Sequence, residues 1–310
     1  MRFFGNEICC GSYACLNAMQ DPMVDLQLFE ISTSTPFGLK HCENNYFDRL
    51  ITTFCDPNNG MDRALRLWGY HVKTYRLDTS DEAIECIRRL LGKGHPVLVG
   101  PIDMGTLDYQ IMPSLLKRMD HYVLLEFFSK EAVLCTDSEG FQQYQMDYTE
   151  LFRYLSVDGI PEAEGSITVR QIEKEHEYTI EGILEQSLGF AAGNLRAAEI
   201  CGEGSHAIGK CFEYLEQYKE YKWRLPLMYD IQYLKQRKLL QLLFFHTLEK
   251  YGIRNREEMK NIKKNVLEQN DLMSAIYMKL RKGEGIDGER FNRLAEMEEK
   301  VAEGMGRLYT

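Results

Sequence analysis

Residues 80–100 read SDEAIECIRRLLGKGHPVLVG, and the change of period inside this stretch decides the fold class. From Ser80 to Leu91 the apolar side chains Ala83, Ile84, Ile87, Leu90 and Leu91 recur three and four apart. Ser80 or Asp81 supplies an N-cap and Gly92 a stop, so this segment is expected to be a helix. Pro96-Val97-Leu98-Val99-Gly100 is instead a short apolar run bounded by turn residues, which is a strand signal. Two similar runs follow, His121-Tyr122-Val123-Leu124-Leu125 and Ala132-Val133-Leu134-Cys135. A helix followed by closely spaced strands is an α+β pattern. Upstream, Cys10 to Met19 is expected to be a helix ended by Asp21-Pro22, and Met61 to Trp68 another, ended by Gly69.

The second half has a different grammar. Thr179 to Ile200, Ser205 to Tyr218, Leu227 to Tyr251, Arg256 to Leu280 and Gly288 to Met305 all place apolar residues three and four apart between charged faces. The Gly- and Pro-containing stretch 157–165 separates the two patterns. The expected organisation is therefore an α+β domain over residues 1–158 and an all-α domain over 159–310. The 310 residues carry 47 acidic and 37 basic side chains, for a net charge of -10. Most of that acidity falls before the boundary, net -8 against -2 after it.

This composition, 44% hydrophobic and 27% charged, is that of an ordinary folded protein rather than a disordered one. An overall acidic balance provides no field for phosphate backbones, so nucleic acid is not an expected partner. No apolar run approaches the roughly 20 residues needed to span a bilayer, and the first residues lack the pattern of a secretory signal. The expected location is the cytoplasm, with no membrane association. Nine cysteines are present, and in that compartment they are expected to be free thiols. Familiar zinc-ligand spacings and glycine-rich phosphate loops are missing, so no metal and no cofactor are expected.

One constellation does carry chemistry. Cys10 opens a helix, where backbone N–H groups and the helix dipole favour a thiolate and a nearby oxyanion. His121 opens one strand, and Asp137 closes the next. If the two strands form a hairpin around residues 128–131, His121 and Asp137 lie at the same end of it. The carboxylate would then fix the imidazole's tautomer, and the imidazole would activate the thiol. Each residue also has an ordinary reading: a packed cysteine, a strand-end histidine and a turn aspartate.

Cys10-Gly11-Ser12-Tyr13-Ala14-Cys15-Leu16 resembles the opening of papain-fold cysteine peptidases that trim bacteriocin leaders. A longer series of motifs resembles the N-terminal domain of the butirosin biosynthesis protein H family. This series comprises an early Cys-x-x-Ser/Thr element, Phe37-Gly38-Leu39, Pro96-Val97-Leu98-Val99 with Asp103 and Tyr109, His121-Tyr122-Val123-Leu124, and Asp137, and it chooses Cys10 over Cys9. Together these motifs span residues 7–155, and a helical domain follows in that family too.

The resemblance implies a papain-like fold and a cysteine acyltransferase with Cys10, His121 and Asp137 as the catalytic residues. Asn6, Asp103 and Tyr109 are the expected substrate-binding residues. The donor would be an acyl carrier protein or acyl-coenzyme A thioester, the acceptor a small-molecule or peptide amine, and the setting natural product biosynthesis. Lys235, Arg237 and Lys238 are the candidates for a basic carrier-protein dock. Phe4 stands where papain-type peptidases carry an oxyanion-hole glutamine, which favours a transferase of activated thioesters over a peptidase. A peptidase or amidase, and a non-catalytic papain-fold binding protein, are the competing expectations.

Overall fold

The computed structural model describes residues 9–42, 50–110, 113–139, 141–160, 163–217, 224–254, 256–285 and 287–309. In chain order the elements begin α1 (Cys10–Met19), α2 (Leu26–Ser32), β1 (Leu39–His41), β2 (Ile51–Thr53), α3 (Pro57–Leu67), β3 (Tyr70–Leu77) and α4 (Ser80–Leu91). Next come β4 (Val97–Asp103), β5 (Asp120–Phe127), β6 (Ala132–Asp137), β7 (Phe141–Asp147), α5 (Tyr148–Tyr154) and β8 (Ile167–Lys174). The chain continues with α6 (Ile180–Ile200), α7 (Ser205–Gln217), α8 (Arg224–Lys250), α9 (Arg256–Arg281) and α10 (Gly288–Tyr309). The fold is α+β, and the chain divides into two compact units. One is Met1–Phe29 with Met61–Tyr178, and the other is Glu30–Gly60 with Thr179–Thr310.

The first unit is organised by an antiparallel sheet of six strands in the order β3-β8-β4-β5-β6-β7. Helix α4 lays Ile84, Ile87, Leu90 and Leu91 on it, against Val97 and Val99 of β4 and Val123 and Leu125 of β5. Each such side chain removed from water stabilises the fold by roughly 1.5–3 kcal/mol. The helix starts one residue earlier than the sequence suggests, because Thr79 and not Ser80 or Asp81 is its cap. The Thr79 hydroxyl accepts from the Glu82 N–H at 3.2 Å, and the Glu82 carboxylate accepts from the Thr79 N–H at 3.2 Å, a reciprocal capping box.

Strand β8 moves the boundary of this unit. The break expected at 158/159 falls inside it, since β8 lies between β3 and β4, with Val169 opposite Tyr75 on one side and Val99 on the other. Its Arg170 is buried, donating from Nε to Asp62 Oδ1 at 2.7 Å and from NH1 to the Gly100 carbonyl at 3.1 Å. A buried cation thus sits in a strand whose neighbours Ile167 and Val169 are apolar core.

The five long helices expected in the second half are all present as α6 to α10. This unit is not assembled from residues after 158 alone, however, and it is not wholly helical. It takes in Glu30–Gly60, which forms the antiparallel ribbon β1-β2. The reason lies in long-range polar contacts. The buried Asp230 carboxylate accepts from the N–H groups of Leu50 at 2.8 Å and Ile51 at 3.2 Å, and Glu203 accepts from His41 N–H at 2.7 Å. Gly38 is the hinge of Phe37-Gly38-Leu39. It has a positive φ of 87°, and a Cβ there would press on Phe54 Cβ at 3.1 Å, so glycine is required twice over.

Among the described residues no helix is long and apolar enough to cross a membrane. The aromatic stretch 218–223 lies outside the described residues.

Candidate functional site

The hairpin anticipated from sequence forms in β5 and β6, with Phe127 opposite Val133 and Val123 opposite Asp137. This register makes Asp137 the diagonal neighbour of His121, two residues from its direct partner and within side-chain reach. His121 Nε2 lies 2.8 Å from Asp137 Oδ1, and both side chains are buried.

Cys10 is the first residue of α1, at the positive end of its dipole. Its Sγ lies 3.9 Å from the carbonyl oxygen of Asp120, the residue preceding His121. His121 and Cys10 also act on each other electrostatically, the imidazole favouring the thiolate and the sulfur favouring the imidazolium. Because Nε2 is engaged by Asp137, Nδ1 is the ring nitrogen left for the sulfur. At the next position a Cβ on Gly11 would meet the Met61 sulfur at 2.4 Å, so glycine lets α1 pack closely there. Three residues scattered over 128 positions of sequence therefore form one line, thiol to imidazole to carboxylate.

Charge in this line is set by burial against pairing. Burial alone would lower the His121 pKa, but the charge and hydrogen bond of Asp137, reinforced by Cys10, hold it well above its ordinary value. Burial would likewise raise Asp137, and the His121 charge and hydrogen bond, the Glu139 N–H and the Tyr109 hydroxyl hold it below. The resting pair is therefore an imidazolium on a carboxylate. For Cys10 the sequence expectation of a lowered thiol is not met. Burial pushes the thiol up, and the hydrogen bond and charge of His121 recover only part of that, while Asp120 and Asp137 add to the rise. The imidazole does act on the sulfur, but desolvation outweighs it.

The three residues expected to bind substrate fare differently. Asn6, like Phe4, lies outside the described residues. Asp103 clamps a loop at the end of β4. Its Oδ1 accepts from Gly105 N–H at 2.8 Å and Arg118 N–H at 2.6 Å. Tyr109 does reach the site, but its hydroxyl donates to Asp137 Oδ2 at 2.8 Å. Gln110 stands beside it and donates from Nε2 to the same oxygen at 3.1 Å. Gln110 escaped the sequence reading, because a lone amide next to a loop tyrosine carries no period or motif.

Of the proposed docking cations, Lys235 is half-buried, while Arg237 and Lys238 are buried in the second unit and paired with Glu30 and Glu298. Those two are core groups, not an exposed dock. Among the described residues no group of three or more His, Cys, Asp or Glu side chains is placed to hold a metal ion.

The described site is thus a half-buried cysteine at a helix terminus and a buried histidine and aspartate on an antiparallel sheet. No family model matches the chain. It is 28% identical over 145 residues to the uncharacterized protein YobF of Bacillus subtilis (strain 168). That match covers 46% of this chain and 45% of YobF, so the chain spans a little under half the length of this relative.

Proposed function

We propose that the first unit is a papain-like cysteine acyltransferase. The observation that carries this reading is the aligned Cys10, His121 and Asp137, with the thiol at the N-terminus of α1 and the dyad 2.8 Å apart. A helix presenting a thiol to an imidazole and carboxylate on an antiparallel sheet is the arrangement that papain-like enzymes use, which supports the fold assignment.

The Cys10–His121 pair first gives one proton to solvent, leaving a thiolate beside an imidazolium, and the sulfur then attacks the carbonyl carbon of an acyl thioester. The tetrahedral oxyanion forms beside the first N–H groups of α1, whose dipole favours negative charge there. The carbon–sulfur bond to the donor breaks, and its thiolate takes the proton from the imidazolium. An amine then attacks the acyl-Cys10 carbonyl, gives its proton to His121, and releases the amide and the free Cys10 thiol. Asp137 stays ionised throughout and orients the ring. Exchange between thioesters is nearly isoenergetic, so positioning and oxyanion stabilisation are the main demands. Burial of Arg237 and Lys238 removes two of the three cations proposed to dock an acidic carrier protein, which favours acyl-coenzyme A as donor.

The test is release of free coenzyme A by the full chain from acetyl- and butyryl-coenzyme A, with and without an aminoglycoside as the amine. Amine-dependent release that disappears in Cys10→Ala is expected. Release indifferent to the amine would make the centre a hydrolase, and release that survives Cys10→Ala would contradict the proposal.

A further inference from the structure

Both oxygens of Asp137 are in use, and they are used differently. Oδ1 meets His121 Nε2 at 2.8 Å and accepts from Glu139 N–H at 2.8 Å. Oδ2 takes the Tyr109 hydroxyl at 2.8 Å and the Gln110 amide at 3.1 Å. The loop that delivers these two donors is held away from the site itself. Asp103 clamps its ends through Gly105 and Arg118, and the Thr106 hydroxyl donates to the Asp103 carbonyl at 2.7 Å. The Tyr109 ring packs against Tyr144 at 5.1 Å and Tyr154 at 5.9 Å between centroids. Those two rings are fixed in turn, the Tyr144 hydroxyl donating to Glu150 at 2.8 Å and the Tyr154 hydroxyl lying against the carboxylates of Asp108 and Glu150.

We infer that Tyr109 and Gln110 are positioning residues, whose paired donation to Oδ2 keeps Asp137 a carboxylate and turns its other oxygen to His121. Their bearing on acyl transfer rests on the function proposed above. A buried carboxylate with two neutral donors on one oxygen cannot swing to offer that oxygen to the imidazole. Each donor also favours the charged form over the acid. The titratable and charged groups facing Asp137 are His121 from β5, Cys10 from α1, Cys135 from its own strand, Glu139 from the following turn and Tyr109 from the loop. His121 is the cation of this set. Burial opposes ionisation of Asp137, and the Glu139 N–H and the Tyr109 hydroxyl join His121 in offsetting it.

The test is the titration of the Asp137 side-chain carboxyl carbon by NMR in the parent, Gln110→Leu and Tyr109→Phe proteins. Losing either donor should raise the midpoint by roughly one pH unit, and losing both should raise it further. A parallel readout is the unfolding free energy between about pH 3 and 5. Its rise with pH should flatten in the variants, because the folded-state pKa moves toward the unfolded value. A merely structural role would shift that curve without changing its slope. If Gln110→Leu does not fold, Tyr109→Phe carries the test alone. Unmoved midpoints with unchanged slopes overturn the inference. Neither readout requires turnover. Moved midpoints with an inert Cys10 would keep this inference and remove the proposed function, and an active Cys10 with an unmoved Asp137 would do the reverse.

Discussion

Cys10 and His121 share a proton problem that decides how the site responds to pH. Both groups are held above their ordinary values, the thiol by burial and the imidazole by Asp137. At neutral pH the imidazole is therefore charged and the sulfur carries its proton. The nucleophilic form appears when the pair loses one proton, a step that belongs to the two groups together. That loss occurs above about pH 6.5, the ordinary histidine value, because both shifts are upward. Alkylation of Cys10 by iodoacetamide, located by peptide mass spectrometry, should therefore climb on the alkaline side of neutrality. In His121→Ala the sulfur loses the partner that lowers its pKa, so the climb should move to still higher pH. At pH 8 the rate should drop by on the order of tenfold for each unit of that displacement. A climb completed below pH 6.5, or one unaffected by the substitution, would contradict the assigned proton states.

At the level of elements, legibility follows how locally each one is determined. Helices α6 to α10 repeat apolar residues three and four apart over many turns, so their positions could be read within a few residues. The β5-β6 hairpin was legible because both strands are apolar and its turn is short. Strand β7 was not, since Gln142, Gln143 and Gln145 interrupt the apolar pattern of this edge strand. Strand β8 was missed because Arg170 occupies a buried position that partners far away in sequence make tolerable, Asp62 108 residues off and the Gly100 carbonyl 70 residues off. The same logic hides Lys238. Its Nζ donates to Glu298 Oε2 at 2.6 Å, tying α8 to α10, and Gln269 of α9 donates to that oxygen at 2.6 Å. Lys238→Ala would leave Glu298 buried without its cation and should destabilise the protein by about 3–5 kcal/mol. The double change Lys238→Met with Glu298→Leu should lose far less, since it removes both charges. Urea unfolding of the two variants checks this, and equal losses would show that the pair is not a coupled unit.

For the whole molecule, the α+β class and the partition of chemistry into the first unit follow from sequence, but the path of the chain between units does not. Residues 30–60 leave the first unit and join the helical one because individual carboxylates, Asp230 and Glu203, capture backbone N–H groups far away in sequence. No periodicity encodes such captures. The site depends less on them, since α1, β5 and β6 all belong to the unit that holds Cys10, His121 and Asp137. The central claim is that this unit carries an acyl group on Cys10. It is tested most directly by mixing the full chain with acetyl-coenzyme A in the absence of an amine, quenching in acid and mapping the acylated peptide by mass spectrometry. One acetyl group on Cys10, absent in Cys10→Ala and formed about a hundredfold more slowly in His121→Ala, is the expected result. Acetylation that spares Cys10, or that falls instead on the exposed Cys201, would contradict it.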